Sequence, residues 1–292
     1  MNFTFLIPTI NNYNHLKICI SSIQKNSKFN HQILVHSNNS KDETSNYLKS
    51  QSIYEMKSDK NYGLCTALNA LTKKAENDFL IFIHDDMYLC PGWEDILINE
   101  INSHKDHNFY LSGIMIGKNN GHINYNFGDD YKNFDETNLL KMYNNFKFND
   151  IQGADKNPSV VHIKLWQKVG GLSEEFNPGD ASDPDFIMKL WNNGVRIFKG
   201  LSKFRVYHFG SITTRKNKNI NLNKGSKIFL KKWGFTYKFF RKYYLDYQNK
   251  YLGPLNEPKK NFFFYFELYI CKLRLITNII FEEHSGSSRG ER

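Results

Sequence analysis

Short apolar runs alternate with amphipathic segments along the first two hundred residues of the chain. Apolar runs bounded by polar residues predict strands, and apolar residues spaced by three or four predict helices. The predicted strands are Phe3–Ile7, Ile33–His36, Ile53–Met56, Phe79–Ile83, Tyr110–Ile116, Val160–Ile163 and Phe204–Tyr207. The predicted helices are His15–Lys25, Asp42–Ser50, Cys65–Ala75, Trp93–Ser103, Pro184–Asn193 and Lys224–Trp233. This alternation predicts an α/β fold with a doubly wound, mostly parallel sheet flanked by helices.

Two segments depart from the alternation. Residues 117–150 are rich in Asn, Lys, Asp and Tyr and show weak periodicity, which predicts a long, mobile, functional loop. The C-terminal segment carries the aromatic run Phe262–Phe266 before a further apolar stretch. Because Glu267, Lys272 and Arg274 interrupt that stretch, we do not expect a membrane-spanning helix. The alternatives are a helix that docks on the domain or on a second subunit, giving a homo-oligomer, and a helix in a membrane interface.

These patterns predict a large α/β domain over residues 1–215, a basic and aromatic helical C-terminal extension over residues 216–284, and a disordered tail over residues 285–292. The four cysteines have neither a C-x-x-C pair nor zinc-ligand spacing, which indicates packed, reduced thiols. The chain begins with a strand and lacks the pattern of a signal peptide. We therefore expect a cytoplasmic protein, with the inner face of the membrane as the alternative location.

The net charge of +10 is unevenly distributed along the chain. Between Arg196 and Lys260 there are 17 lysines and arginines against two acids, whereas residues 1–195 carry a net charge of −5. Such a basic stretch suits phosphates, anionic lipid head groups or nucleic acid. The alternative is a solvated basic face that only aids solubility.

The segment His84-Asp85-Asp86-Met87 directly follows the apolar run Phe79–Ile83. Ligands of open parallel sheets collect at the carboxyl ends of the strands. Two adjacent carboxylates there repel each other and lose hydration, so they need a cation or hydrogen-bond donors. A divalent cation held by one or two carboxylates and by phosphate oxygens meets that need. The alternative is a solvated acidic turn before the next helix, with Pro91-Gly92 as the break.

Polar segments also follow the first three predicted strands. They are Pro8-Thr9-Ile10-Asn11-Asn12, Ser37-Asn38-Asn39-Ser40-Lys41-Asp42-Glu43-Thr44, and Asn61-Tyr62-Gly63 with Ala67 and Asn69 beyond it. Small polar groups at neighbouring strand ends can bind a base and a ribose by hydrogen bonds. Each segment alone is more often a turn than a binding site. Only their shared position at one edge of the sheet indicates a binding site.

The ordered set of motifs resembles the GT-A fold glycosyltransferases of family 2, an inverting group that uses nucleotide-sugar donors. The resemblance covers roughly residues 3–212. Its motifs are Ile7-Pro8-Thr9 with Asn11, Asn39-Ser40-Lys41-Asp42-Glu43-Thr44, Asn61-x-Gly63-x-x-x-Ala67-x-Asn69, His84-Asp85-Asp86, Pro91-Gly92-Trp93, Gly170-Gly171-Leu172-Ser173-Glu174-Glu175-Phe176, Asp183-Pro184-Asp185 and His208-Phe209-Gly210-Ser211. It implies that residues 1–215 form the nucleotide-sugar-binding and catalytic domain.

The resemblance also implies roles for single residues. Donor contacts fall on Thr9, Asn38, Lys60, Asn61 and Gly63, with Asp85 nearer the ribose. Metal contacts, for Mn²⁺ or Mg²⁺, fall on Asp86 and on His208, which can also meet the diphosphate. The catalytic base falls on Asp183. The chain departs from the family pattern at His84, Asn38, Ser37 and Ser182, where many members carry acids, and this bears on the donor base and sugar.

The chemistry of glycosyl transfer requires groups of the kinds that these residues provide. Glycosyl transfer leaves negative charge on the departing diphosphate, which a cation on Asp86, with His208 and Arg215 or Lys216, would stabilise. An acceptor hydroxyl must lose a proton, and Asp183, or else Asp185, can take it. The alternative is that one of these two carboxylates caps the helix at Pro184. His208 has its own alternative as a buried histidine with satisfied hydrogen bonds.

The leading hypothesis is a metal-dependent inverting glycosyltransferase that acts on a glycan, lipid-linked or protein-linked hydroxyl. One rival is a sugar-phosphate nucleotidyltransferase, but Pro8–Tyr13 is not the Gly-rich, basic loop expected after its first strand. The other rival is a non-catalytic basic module that binds nucleic acid or a membrane through residues 196–260. Under the leading hypothesis we expect no nucleic-acid partner.

Overall fold

The computed structural model describes residues 1–118, 121–210 and 223–287 of the chain. The strands are β1 (Phe3–Thr9), β2 (Gln32–Asn38), β3 (Tyr54–Ser58), β4 (Phe79–Phe82), β5 (Met87–Leu89), β6 (Phe109–Gly117), β7 (Ile123–Asn124), β8 (Ile151–Gln152), β9 (Ser159–His162) and β10 (Ile197–His208). The helices are α1 (Tyr13–Lys25), α2 (Thr44–Ser50), α3 (Leu64–Thr72), α4 (Trp93–Ser103), α5 (Glu136–Met142), α6 (Ile163–Lys168), α7 (Ser182–Asn192), α8 (Asn223–Trp233), α9 (Tyr237–Tyr243) and α10 (Phe262–Ser287).

The strands form one sheet in the order β3-β2-β1-β4-β9-β6-β10-β5, with β7 beside β6 and β8 beside β10. Strands β1 to β4 are mutually parallel, and β10 is parallel to β6. Strand β9 runs antiparallel between β4 and β6. The carboxyl ends of β1, β2, β4 and β10 therefore lie at the same edge of the sheet. The fold class predicted from the sequence, a mostly parallel GT-A type sheet, is confirmed.

Both faces of the sheet are covered, which explains the continuous apolar runs. Alternate side chains of β1 enter different cores, with Leu6 in one cluster and Phe5 and Ile7 in the other. The Trp93 ring of α4 packs against Phe5 with ring centroids 5.4 Å apart. Trp93 is therefore a core residue.

The strands and helices predicted from periodicity are all present, with boundaries that differ by a few residues. The segment 117–150 is the main difference, because it contains β7 and α5 and buries Phe127 and Leu139. These side chains join an aromatic cluster at irregular spacing, so no period along the sequence could reveal it. The segment predicted as a long, mobile, functional loop therefore contains a short strand and a helix among its described residues.

The C-terminal helices are part of the same globule. Phe229 of α8, Phe240 of α9 and Phe264 of α10 share a hydrophobic core with Leu6 and Trp191 of the α/β fold. Helix α10 continues to Ser287, into the segment predicted as a tail. Within the described ranges, no helix combines the length and the apolar character needed to cross a membrane. All four cysteines are buried and unpaired, as predicted.

Candidate active site

The carboxyl ends of β1 and β4 bring Thr9 and Asp85 together. The Thr9 hydroxyl donates a hydrogen bond of 2.6 Å to Asp85 Oδ2, and both residues are buried. This contact joins the first predicted donor motif to the acidic motif, 76 residues apart in the chain. The sequence placed both segments at one edge, and the structure brings their side chains into contact.

Asp86 lies beside His208. Strand β10 pairs antiparallel with β5 so that His208 stands opposite Met87, and the Phe209 amide donates to the Asp86 carbonyl oxygen at 3.1 Å. The His208 Nε2 and Asp86 Oδ1 atoms are 3.2 Å apart, and both side chains are at least nine-tenths buried. Two predicted metal contacts thus meet, although they are separated by more than one hundred residues in the sequence.

Burial and mutual repulsion act on the two adjacent carboxylates of Asp85 and Asp86. Burial, followed by the negative charge of Asp86, raises the pKa of Asp85 to about 7, although the Thr9 hydrogen bond and His208 act in the opposite direction. Burial lowers the pKa of His84 to about 4, so this neighbouring imidazole is neutral near pH 7. Across the described parts of the chain, no group of three or more His, Cys, Asp or Glu side chains is arranged to hold a metal. Within those parts of the chain, the side chains at this edge therefore do not form a closed metal cage.

The predicted donor residues after β2 and β3 lie at the same sheet edge. Asn38 ends β2 with only 4% of its surface exposed, and its Oδ1 atom has no hydrogen-bond partner among the described residues. Lys60 and Asn61 are exposed, and the Lys60 ammonium stands 4.9 Å from the Tyr62 ring centroid. A buried acceptor without a partner is costly, so Asn38 is suited to a ligand that donates a hydrogen bond.

Gly63 fixes the loop before α3. Its φ of +89° is unfavourable for other residues, and a Cβ atom would lie 2.4 Å from Asn177 Oδ1. The Gly63 amide donates to Asn61 Oδ1 at 2.9 Å, and the Cys65 amide donates to Asn177 Oδ1 at 3.0 Å. Glycine is required here by both conformation and space.

Asp183 lies in the first turn of α7. The N-cap of this helix is Ala181, with φ +61° and no side-chain capping bond, so the capping alternative for Asp183 and Asp185 is wrong. Asp183 is half-buried and borders a small cavity whose other walls include Tyr110 and Phe186. Burial, followed by the negative charge of Asp155, raises the pKa of Asp183 to about 7. The carboxyl group is therefore poised to exchange a proton near neutral pH.

Asp185 is fully buried and both of its oxygens are occupied. Ser173 Oγ donates to Oδ2 at 2.6 Å, Trp233 Nε1 donates to Oδ1 at 2.9 Å, and Lys232 Nζ lies 2.9 Å from Oδ1. This carboxylate connects α7 to α8. The geometry favours Asp183 over Asp185 as a proton acceptor.

Asn157 joins the acidic motif to Asp183, and the sequence analysis missed it. Its Nδ2 atom lies 3.1 Å from His84 Nε2, and its side chain also hydrogen-bonds to Asp183. Because the amide nitrogen donates, His84 Nε2 accepts and its proton sits on Nδ1. Asn157 follows no apolar strand in the sequence, so periodicity gave no signal for it.

Arg241 and Asp155 were also missed. Arg241 Nε is 2.5 Å from Asp155 Oδ2, and the Asp155 side chain is 0% exposed. The guanidinium lies between the rings of Tyr237 and Tyr247, at 5.0 and 4.7 Å from their centroids. The only hint in the sequence was an arginine within the aromatic stretch that forms α9. Arg215 and Lys216, predicted to meet the diphosphate, lie outside the described residues.

Comparisons with known proteins identify the family and the fold. The profile of "Glycosyl transferase family 2" matches residues 4–159. Among solved structures, residues 1–349 of S. aureus TarS superpose with a TM-score of 0.55 at 17% identity, covering 78% of this chain and 69% of that one. The structure of the same TarS residues in complex with UDP superposes with a TM-score of 0.56 at 16% identity, covering 82% of this chain and 74% of that one.

GalNAc-T7 with UDP, GalNAc and Mn²⁺ gives a TM-score of 0.56 at 14% identity, covering 83% of this chain and 54% of that one. The chain spans 42% of the longer TarS structure. No curated protein sequence matches the chain. The solved structures establish the fold, and the profile covers more than half of the residues. The chain therefore belongs to glycosyl transferase family 2 and is a glycosyltransferase, as its motifs predicted.

Proposed function

We propose that the chain is a metal-dependent, inverting transferase that moves a sugar from a nucleoside diphosphate donor to a hydroxyl of a glycan, lipid-linked or protein acceptor. The observation that carries this proposal is the pair of carboxylate centres at one sheet edge, Asp85 with Asp86 and Asp183 with Asp155. They are joined through His84 and Asn157. The TarS structures with UDP and UDP-GlcNAc support a nucleotide-sugar donor.

The donor would lie across the ends of β1 to β4. The partnerless Asn38 Oδ1 suits an N–H group of the base, and Asp85 suits the ribose. The loop at Lys60, Asn61 and Gly63 would border the nucleotide, with the ammonium of Lys60 available to a phosphate. Arg215 would contact the diphosphate, as the sequence analysis predicts.

Asp86 and His208 would hold a divalent cation, Mn²⁺ or Mg²⁺. The support for such an ion is geometric: His208 Nε2 and Asp86 Oδ1 lie 3.2 Å apart, nearly buried, with the second carboxylate of Asp85 adjacent in the chain. Two protein ligands leave positions for phosphate oxygens and water. When bound, the cation would offset the charge that grows on the leaving diphosphate. GalNAc-T7 was solved with UDP and Mn²⁺, which supports this assignment.

Asp183 would act as the base. The acceptor oxygen forms a bond to the anomeric carbon as the bond from that carbon to the diphosphate breaks, and the acceptor proton passes to the Asp183 carboxylate. One displacement inverts the anomeric centre. A base with a pKa of about 7 combines a useful ionised fraction with real basicity near neutral pH.

Residues 1–215 would thus bind the donor and supply the base, while the helices of residues 216–284 would complete the acceptor side. Arg241 supports that division, because α9 places it against Asp155 beside the base.

Assays of donor hydrolysis and of sugar transfer with a panel of nucleotide sugars test the proposal. We expect turnover of one donor class with added Mn²⁺ or Mg²⁺, loss of turnover in EDTA, and an inverted anomeric product by NMR. Full turnover in EDTA would overturn the metal assignment, and a retained configuration would overturn the single displacement.

A further inference from the structure

Helix α10 presents two apolar stripes on opposite sides. Its inner stripe consists of Phe264, Leu268, Cys271 and Leu275, which pack into the core. The second set, here called the outer stripe, consists of Phe262, Phe266, Tyr269 and Leu273. Its members are 75%, 52%, 59% and 44% exposed. Both stripes repeat with helical spacing, so the outer stripe is a continuous ridge roughly 16 Å long.

Packing of the inner stripe against α9 sets the orientation of the outer stripe. The Phe264 ring packs against Phe239 and Tyr243 of α9, with centroid distances of 5.0 and 5.1 Å. Lys242 and Glu267 form an ion pair of 2.5 Å between the same two helices. Over the residues whose side chains the structure describes, helix α10 therefore packs against the rest of the protein through its inner stripe. Its outer stripe points away from the core.

Basic residues border the outer stripe. Lys272 and Arg274 are exposed and fall on either side of Leu273, and Lys259 and Lys260 are exposed just before the helix. Over residues 223–277 there are twelve lysines and arginines against three acids. An aromatic ridge with cations on both sides matches a helix that lies in the interface of an anionic bilayer.

We propose that the outer stripe of α10 seats the protein on a bilayer surface that carries anionic phospholipid. The rings would enter the boundary between head groups and acyl chains, while Lys272 and Arg274 would reach the phosphates. A second copy of the chain is a poorer occupant, because a twofold contact through this ridge would bring its bordering cations together.

Flotation of the full chain with lipid vesicles tests the proposal. We expect binding to vesicles that contain phosphatidylglycerol, weaker binding to phosphatidylcholine alone, and weakening by salt. The variant Phe262→Ser/Phe266→Ser/Tyr269→Ser should bind roughly tenfold or more weakly. The matched control Phe29→Ser/Tyr54→Ser removes exposed aromatic rings from another face and should bind as the wild type does.

Lys272→Glu/Arg274→Glu should lose the preference for phosphatidylglycerol without removing any aromatic ring. Asp183→Asn should bind vesicles normally, so this proposal and the proposed reaction can fail separately. Two results would overturn the proposal: a wild-type chain that does not float with anionic vesicles, and a concentration-dependent dimer in ultracentrifugation that the triple serine variant abolishes.

Discussion

The candidate active site contains two pairs of acidic residues that the protein balances differently. Asp85 and Asp86 lie beside a threonine hydroxyl and an imidazole, those of Thr9 and His208. Asp155, next to Asp183, faces a guanidinium from α9. The second pair therefore has a guanidinium of the chain beside it, whereas a bound cation could supply positive charge beside the first pair. The difference is consistent with the metal-binding role that we propose for the first pair and the proton-accepting role that we propose for Asp183.

Asp85 and Asp183 are similar carboxyl groups for which we propose different roles. The pKa values of Asp85 and Asp183 are both raised to about 7, and burial is the largest cause in both. A cation beside Asp85 would lower the pKa of that group and return it to its ionised form. The neighbours of Asp183 are Arg241 and Asp155, which are fixed groups of the chain, so its pKa would not change in this way. Only Asp183 would keep a pKa near neutrality in the working enzyme.

The largest effect is expected from Asp86→Ala. Removal of this carboxylate should lower transfer on the order of 10⁴-fold, because a bound cation is worth several kcal/mol in the transition state. Isothermal titration calorimetry should show that Mn²⁺ no longer strengthens nucleotide binding. Asp106→Ala, at an exposed carboxylate remote from the edge, is the control. An active Asp86→Ala enzyme contradicts the metal role of the first pair.

Asp183→Asn should lower transfer by roughly 10²–10⁴-fold, the usual worth of a general base, and leave donor binding unchanged. It should also raise the melting temperature above pH 7. The wild-type group has a pKa raised from 3.8 to about 7, so its ionisation destabilises the fold as pH rises through that window. The gain should disappear below about pH 4, where both side chains are neutral. Unchanged transfer in Asp183→Asn would remove this residue from the chemistry.

The pKa of Asp183 can be shifted in both directions by substitution of its charged neighbours. The wild-type kcat/KM should rise with pH through an apparent pKa of about 7. Asp155→Asn removes a negative neighbour and should move that pKa down, whereas Arg241→Gln removes a positive one and should move it up. The pH profile of kcat/KM measures both shifts. Arg196→Gln, which breaks a surface pair with Glu257, should leave the profile unchanged. Equal profiles for all three variants would show that Arg241 and Asp155 have only a structural role.

The smallest effect is expected from Thr9→Val, which keeps the shape of the side chain and removes its hydrogen bond to Asp85. Metal-dependent donor affinity should fall about tenfold, the worth of one hydrogen bond to a charged group. Thr4→Val removes a hydroxyl bond to Gln32 at the other end of the same strand and should not change donor affinity. Equal losses in the two variants would trace the effect to β1 as a whole.

The sequence predicted the common edge of the first strands well, because the residues placed there directly follow strands. Thr9, Asn38 and Asp85 come just after apolar runs, and parallel strands place such positions at one edge. The groups that surround Asp183 could not be found in this way. Asp155 and Asn157 lie in an irregular segment, and Arg241 comes from 86 residues beyond Asp155 in the chain. Only the packing of α9 against the sheet domain brings these groups together, and no local pattern encodes that packing.

The buried carboxylate of Asp185 has a consequence for protein engineering. It ties the helix that carries Asp183 to Lys232 and Trp233 of α8. A chimera that exchanges the C-terminal helices for those of another family member would leave this buried charge unpaired, unless both partners were retained. Exchange of acceptor preference between relatives should therefore succeed when α7 and α8 are transplanted together, and recombination between them should yield misfolded protein.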